Sequence, residues 1–220
     1  MIIFDIDGTL CDTKLVDEEC FVRSCEAVFG TLPDGLGWQC SPHVTDSAIV
    51  DWWCRETQSR APNDHEVKQA LDQFLSHLRD CLAAAPDRFQ AMSGARELIQ
   101  AIRERGWPVG IATGGWLSSA QMKLTAAGLP LELLLASAND SQDRVSIFRL
   151  AAERLGAQAH QRVVLVGDGT WDVTVAGVLG WGFVGIATGG QASRLKAVGA
   201  QYIIPNFSAR NEVLSLLAAA

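Results

Sequence analysis

The chain has 220 residues, 48% of them hydrophobic and 20% charged, and carries a net charge of −7. That length can bury a sizeable core as one domain, or as one domain with a small second one inserted. The acidic balance argues against nucleic acid or an anionic membrane as the main partner, and no apolar run is long enough to span a bilayer.

Ile2, Ile3 and Phe4 form an apolar run without polar alternation, which predicts a strand buried on both faces of a parallel sheet. Asp5 and Asp7 follow at once. A strand has a side-chain period of two, so both carboxylates project to the same side, and Gly8 and Thr9 then turn the chain away. Two like charges at a buried strand end raise each other's pKa unless a cation joins them, and hard oxygen ligands in a small cluster suit Mg²⁺. Open α/β sheets bind ligands outside the carboxyl ends of their strands, where this pair would sit. A solvated turn would account for one Asp after a strand. It accounts less well for two at this spacing, followed by Gly-Thr-Leu and a further Asp-Thr at Asp12 and Thr13.

From Lys14 the periodicity is helical. Phe21, Cys25, Val28 and Phe29 share a face and Gly30 stops the helix. The Pro- and Gly-rich stretch 31–44 reads as a loop. Thr45 and Asp46 cap a second helix bearing Ile49, Trp52 and Trp53, and Asn63 and Glu66 stand in capping-box spacing before a long helix that ends short of Pro86. Residues 14–88 therefore contain helices only. The six cysteines, Cys11, Cys20, Cys25, Cys40, Cys54 and Cys81, include no Cys-x-x-Cys pair, so a zinc site is not expected. The apolar start at Met1 with acids close behind does not resemble a secretion signal. Reduced thiols used as core fillers and a cytosolic location are expected.

After Ser93 helix and strand alternate. A helix through Leu98 and Ile102 ends at Gly106, a strand runs from Pro108 to Thr113, and a helix from about Leu117 to Gly128. Leu133–Ala136 is a short strand, Ile147–Leu155 a helix, Val163–Val166 a strand and Asp172–Gly180 a helix. Phe183–Ile186, a helix through Leu195, a strand at Tyr202–Ile204 and a C-terminal helix complete the chain. The alternation predicts a doubly wound parallel sheet, an α/β Rossmann-like core carrying a small all-helical domain. The heptapeptide VGIATGG occurs twice, at Val109–Gly115 and Val184–Gly190, without longer self-similarity.

Asp5–Thr13, DIDGTLCDT, resembles the first motif of the haloacid dehalogenase-like superfamily, in particular its phosphatase branch. The resemblance implies that Asp5 is a nucleophile and Asp7 an acid/base. Thr113 and Gly114, a hydroxyl and free backbone N–H groups at a strand end, resemble the second motif and would bind phosphate. Val166-Gly167-Asp168-Gly169-Thr170-Trp171-Asp172 resembles the fourth motif. It implies Mg²⁺ held by Asp5, the backbone carbonyl of Asp7 and Asp168, with Asp172 a ligand or acting through water. An N-cap role could explain either Asp168 or Asp172 alone.

The third motif departs from the pattern. Where the family usually has a Lys, often followed by Pro, this chain has Asp143-Arg144-Val145. Lys123 is the other position the family allows. It lies on the order of 9 Å down its helix at a rise of about 1.5 Å per residue, so Arg144 is expected to bind phosphate and Lys123 to be out of reach. Residues 14–88 match the family's cap position, which divides the chain into a core of 1–13 and 89–220 and a helical cap of 14–88. The implied activity is Mg²⁺-dependent hydrolysis of a small phosphorylated metabolite through an aspartyl-phosphate. A sugar phosphomutase, or a catalytically inactive binding or scaffold protein on this fold, are the alternatives, and retention of all four acids weighs against the last. Trp116 and Trp171, beside motif residues, are expected at the pocket rim. Most of the cap tryptophans are expected to pack between helices.

Overall fold

The computed structural model describes residues 1–158 and 161–220. Six strands, β1 (Ile2–Phe4), β2 (Val109–Ala112), β3 (Leu134–Ala136), β4 (Val164–Gly167), β5 (Gly182–Ile186) and β6 (Tyr202–Ile204), form one sheet in the order β3-β2-β1-β4-β5-β6. Every pairing is parallel, with β1 between β2 and β4. The helices are α1 (Lys14–Phe29), α2 (Asp46–Gln58), α3 (Asp64–Ala84), α4 (Ala95–Glu104), α5 (Leu117–Ala126), α6 (Arg144–Arg154), α7 (Thr170–Leu179), α8 (Gly189–Ala197) and α9 (Arg210–Ala219). Single 3₁₀ turns at Trp38–Cys40, Pro86–Phe89 and Leu131–Leu133 are the only regular elements the sequence reading lacked among the described residues.

The unalternating run of β1 has the two-sided burial expected of it. Ile2 and Phe4 pack into a core shared with α4, α5 and α9, whereas Ile3 packs on the other face with α6 and α7. Strand order reverses at β1, so the crevice outside the ends of β1, β2 and β4 is the place where a doubly wound sheet takes a ligand. Asp5, Thr113 and Asp168 each follow one of these three strands.

Among the described residues, 14–88 add no strand to the sheet. Helices α1–α3 enclose a core of their own around Phe21, Cys25, Trp53, Phe74 and Leu78, and that core also takes in Phe89 and Trp116 from the sheet-bearing part. The Asn63–Glu66 capping box is present in both directions. Trp116 departs from the expected rim position. It is buried against Phe21 and Phe74, with ring centroids 5.8 and 6.2 Å away, because α3 packs along α5 and the apolar ring goes into that seam.

Candidate active site

The backbone N–H of Asp5 donates to the Val166 carbonyl (2.9 Å), which ties the first turn after β1 to the end of β4. Gly8 follows with φ +77°. A Cβ there would come within 2.5 Å of an Asp168 carboxylate oxygen, so only glycine lets the two acidic loops meet. Asp5, Asp168 and Asp172 are all buried, and each offers an oxygen within 4.8 Å of the others. Asp172 sits in the first turn of α7, where a negative charge suits the helix dipole, and its Oδ2 accepts the Gly169 N–H (3.0 Å). This close set of hard carboxylate oxygens fits a Mg²⁺ ion and offers none of the softer donors that zinc favours.

Arg144 lies at the other side of Asp5. Its Nη2 donates to Asp5 Oδ1 (3.1 Å) and to Asp172 Oδ1 (2.8 Å), Nε donates to the same Asp172 oxygen (3.1 Å), and Nη1 donates to the Val44 carbonyl (2.9 Å). Asp143 does not pair with it. Asp143 instead caps α6, accepting the N–H groups of Val145 and Ser146. A cation at the first residue of a helix opposes the dipole, and the two buried carboxylates offset that. Thr113 is buried beside the Gly114 turn, and a Cβ on Gly114 would overlap the Arg144 guanidinium and the Val44 carbonyl.

Burial pushes the Asp5 carboxyl well above the ordinary carboxylate range, and the Asp172 charge adds to this while Arg144 opposes it. Burial likewise raises Asp168 to about 6, against the pull of Lys14. Burial disfavours the charge on Arg144, but the Asp172 and Asp5 carboxylates outweigh it and raise its pKa.

Lys123 does not line the cleft, but it reaches the acids after β1, farther than its distance along α5 suggests. It is 1% exposed, and its Nζ donates to Asp7 Oδ2 and to Asp17 Oδ1, both at 2.5 Å. The axial distance was a poor guide because side chains on a helix point back toward its N-terminus, and the four-carbon stem of Lys spans the remainder. Burial alone would lower its pKa; Asp17 and Asp7 more than reverse this and hold it above the ordinary value. The other oxygen of Asp7 accepts the Thr13 hydroxyl (2.6 Å).

Three further residues join the site. Lys14 pairs with Asp168 Oδ2 (2.5 Å) and lies 5.5 Å from the Trp171 ring centre. Asp17 shares Lys123, and burial raises it to about 6. Asp46 accepts the Trp116 N–H (2.8 Å), and burial raises it to about 8. The sequence held a signal for part of this set: Lys14, Asp17, Glu18 and Phe21 are spaced i, i+3, i+4 and i+7, one face of α1, and all line the cleft. The cleft measures about 620 Å³ with its open mouth and is also lined by Trp38 and Trp171, so Trp171 holds the expected rim position and Trp38 takes the other. Trp53 packs inside α1–α3 as expected, its indole N–H on the Gly30 carbonyl.

A family model of haloacid dehalogenase-like hydrolases matches residues 1–180. The "Probable phosphatase IndB" of Dickeya dadantii (strain 3937) is 27% identical over 214 residues, covering 94% of this chain and 90% of that protein. A hydrolase from Pseudomonas syringae has the same fold, with a TM-score of 0.78 at 19% identity over 98% of both chains. CbbY from Rhodobacter sphaeroides, solved in complex with phosphate, superposes with a TM-score of 0.70 at 18% identity over 94% of both chains. With the family match running from the first acidic motif through the fourth, the chain belongs to the haloacid dehalogenase-like hydrolases.

Proposed function

We propose that this hydrolase is a Mg²⁺-dependent phosphatase of small phosphorylated metabolites working through an aspartyl-phosphate. The observation that carries the reading is the convergence of Asp5, Thr113 and Asp168 at one sheet edge, with Arg144 spanning Asp5 and Asp172. Asp5 is the nucleophile: its free oxygen attacks phosphorus while the ester oxygen leaves. Asp7 donates the proton that the leaving oxygen takes up, and later withdraws one from the water that cleaves the aspartyl-phosphate. Arg144, the Thr113 hydroxyl and the Gly114 N–H bind the phosphoryl oxygens as charge develops on them. Asp5, Asp168 and the Asp7 carbonyl would hold Mg²⁺, with Asp172 beside them. A bound Mg²⁺ would offset the charge on the phosphoryl group and help orient it. Lys123 positions Asp7, and residues 14–88 act as a cap that excludes water from the reacting atoms.

The test is phosphate release from p-nitrophenyl phosphate with and without Mg²⁺, for wild type and Asp5→Asn. Mg²⁺-dependent release by wild type, none by Asp5→Asn, and a phosphoryl adduct on Asp5 in trapped enzyme are expected. Full activity in Asp5→Asn, or an adduct elsewhere, ends the covalent mechanism. Transfer of the phosphoryl group to a sugar instead of water would make the enzyme a mutase.

A further inference from the structure

The part of the cleft lining that comes from α1, α2 and the 3₁₀ turn between them is acidic and aromatic. It carries Asp17, Glu18, Phe21, Trp38, Asp46 and Ile49. The two cations that line the cleft are committed elsewhere, Lys14 to Asp168 and Arg144 to Asp5 and Asp172, and Lys123 behind it is committed to Asp7 and Asp17. Arg194 does not line the cleft; it lines an adjoining groove that shares Trp38 and Trp171 with it, and a second groove that shares Lys14 and Asp168.

Asp46 is placed to read a short leaving group. Its backbone N–H donates to the Gly114 carbonyl (2.7 Å), so the first residue of α2 rests on the turn that follows β2. Its Oδ2 is held by the Trp116 N–H, and its Oδ1 accepts no hydrogen bond among the described residues although the residue is only 8% exposed. Glu18 Oε1 accepts the Trp38 indole N–H (2.9 Å), which leaves its second oxygen without a protein donor among the described residues. Both oxygens open onto the cleft, where a substrate donor can take the place of water and give a hydrogen bond that an ester lacking the donor cannot. A carboxylate or a second phosphate here would meet the Glu18 carboxylate and the other acceptor oxygens of α1 and α2, while the two cations lining the cleft are paired with the acids of the proposed phosphoryl and metal site.

We propose that the substrate's leaving alcohol carries a hydrogen-bond donor, a hydroxyl or an ammonium, near the ester oxygen and no second anionic group, and that Asp46 selects for it. This rests on the phosphatase reading above. The Asp46 carboxyl keeps an acceptor oxygen in either protonation state, so it can take either donor.

Four esters of matched length test the proposal: ethyl phosphate, 2-hydroxyethyl phosphate, O-phosphoethanolamine and 2-phosphoglycolate. The readout is kcat/KM for each or, for an ester that is not turned over, its Ki against p-nitrophenyl phosphate. At least one donor-bearing ester should exceed ethyl phosphate by about tenfold or more, and phosphoglycolate should fall below ethyl phosphate by a similar factor. The leading ester then tells a polyol from an amino alcohol. In Asp46→Asn the amide oxygen can keep the Trp116 N–H while the NH₂ turns a donor toward the cleft. The preference for phosphoethanolamine over phosphoglycolate should therefore shrink by about tenfold. Glu18→Gln should shrink it less, and it supplies the comparison if Asp46→Asn does not fold. Phosphoglycolate equal to or ahead of the donor-bearing esters, or ratios unchanged in both variants, overturns the proposal and leaves the phosphatase reading standing. Failure to hydrolyse or bind any of the five esters overturns both.

Discussion

Two basic residues reach the acids after β1, Arg144 at Asp5 and Lys123 at Asp7, and in the proposed mechanism they divide the basic role of the third motif. Arg144 touches Asp5, the proposed nucleophile, so Arg144→Ala should cut turnover by more than about tenfold, or about 1.4 kcal/mol of transition-state stabilisation. Lys123 touches Asp7, the proposed acid/base, and Asp17 but does not line the cleft. Lys123→Met strands two carboxylates in a buried setting, and breaking a buried pair costs about 3–5 kcal/mol. It should therefore lower both the melting temperature and kcat, whereas Arg144→Ala should act mainly on kcat. Paired thermal melts and steady-state assays check this. Among the acids, Asp168→Ala should raise the Mg²⁺ concentration needed for half-maximal activity sharply. Asp172→Ala should disturb Arg144 as well, because Asp172 Oδ1 accepts from both Nε and Nη2. A Mg²⁺ titration of both variants at saturating substrate separates the two: a pure metal defect is recovered by excess Mg²⁺, and loss of the Arg144 anchor is not.

At the scale of elements, the start of α2 is fastened to the loops that follow β2 and β3. Asp46 N–H reaches the Gly114 carbonyl, the Thr45 hydroxyl the Gln142 carbonyl (2.8 Å), the Ser47 hydroxyl the Ala138 carbonyl (3.2 Å), and Arg144 the Val44 carbonyl. A helical cap that opens for substrate has to release these bonds together. The Asp46 amide should therefore exchange with solvent faster in Arg144→Ala, and more slowly in wild type given Mg²⁺ and orthovanadate. Hydrogen exchange over 44–49 reads both effects. Exchange indifferent to both would mean that α2 does not move with the site. The α1 face was legible from its i, i+3, i+4, i+7 spacing, but the partners of α2 were not. They lie about seventy to a hundred residues away along the chain, and no local pattern encodes such a pairing.

For the whole molecule, the acidic cluster sets a pH dependence of stability. Burial raises Asp17 to about 6 and Asp46 to about 8, from an unfolded value of 3.8. Between those values the folded state holds more protons than the unfolded one, so stability falls as pH rises. The contribution is complete below the unfolded value and is lost through about 6 for Asp17 and about 8 for Asp46. Urea unfolding should show lower stability at about pH 8 than at about pH 5, and Asp46→Asn should flatten the upper part of that decline. A wild-type stability that stays flat over this range, unchanged in slope by Asp46→Asn, would show that these carboxyls titrate normally.

The order of strands and helices, the two-sided burial of β1 and the acids at its end were all determined by the sequence alone. They rest on local periodicity and on short motifs whose residues are neighbours in the chain: Ile2–Phe4, Asp5 with Asp7, Asp168 with Asp172. The tertiary structure alone decided which cation meets which acid. Lys123 and Asp7 are 116 positions apart and Arg144 and Asp5 are 139, so their pairing depends on how α5 and α6 pack against the sheet. It also decided that Trp116 is buried and Trp38 lines the cleft, because an indole reads alike in sequence whether its helix faces a neighbour or a cavity.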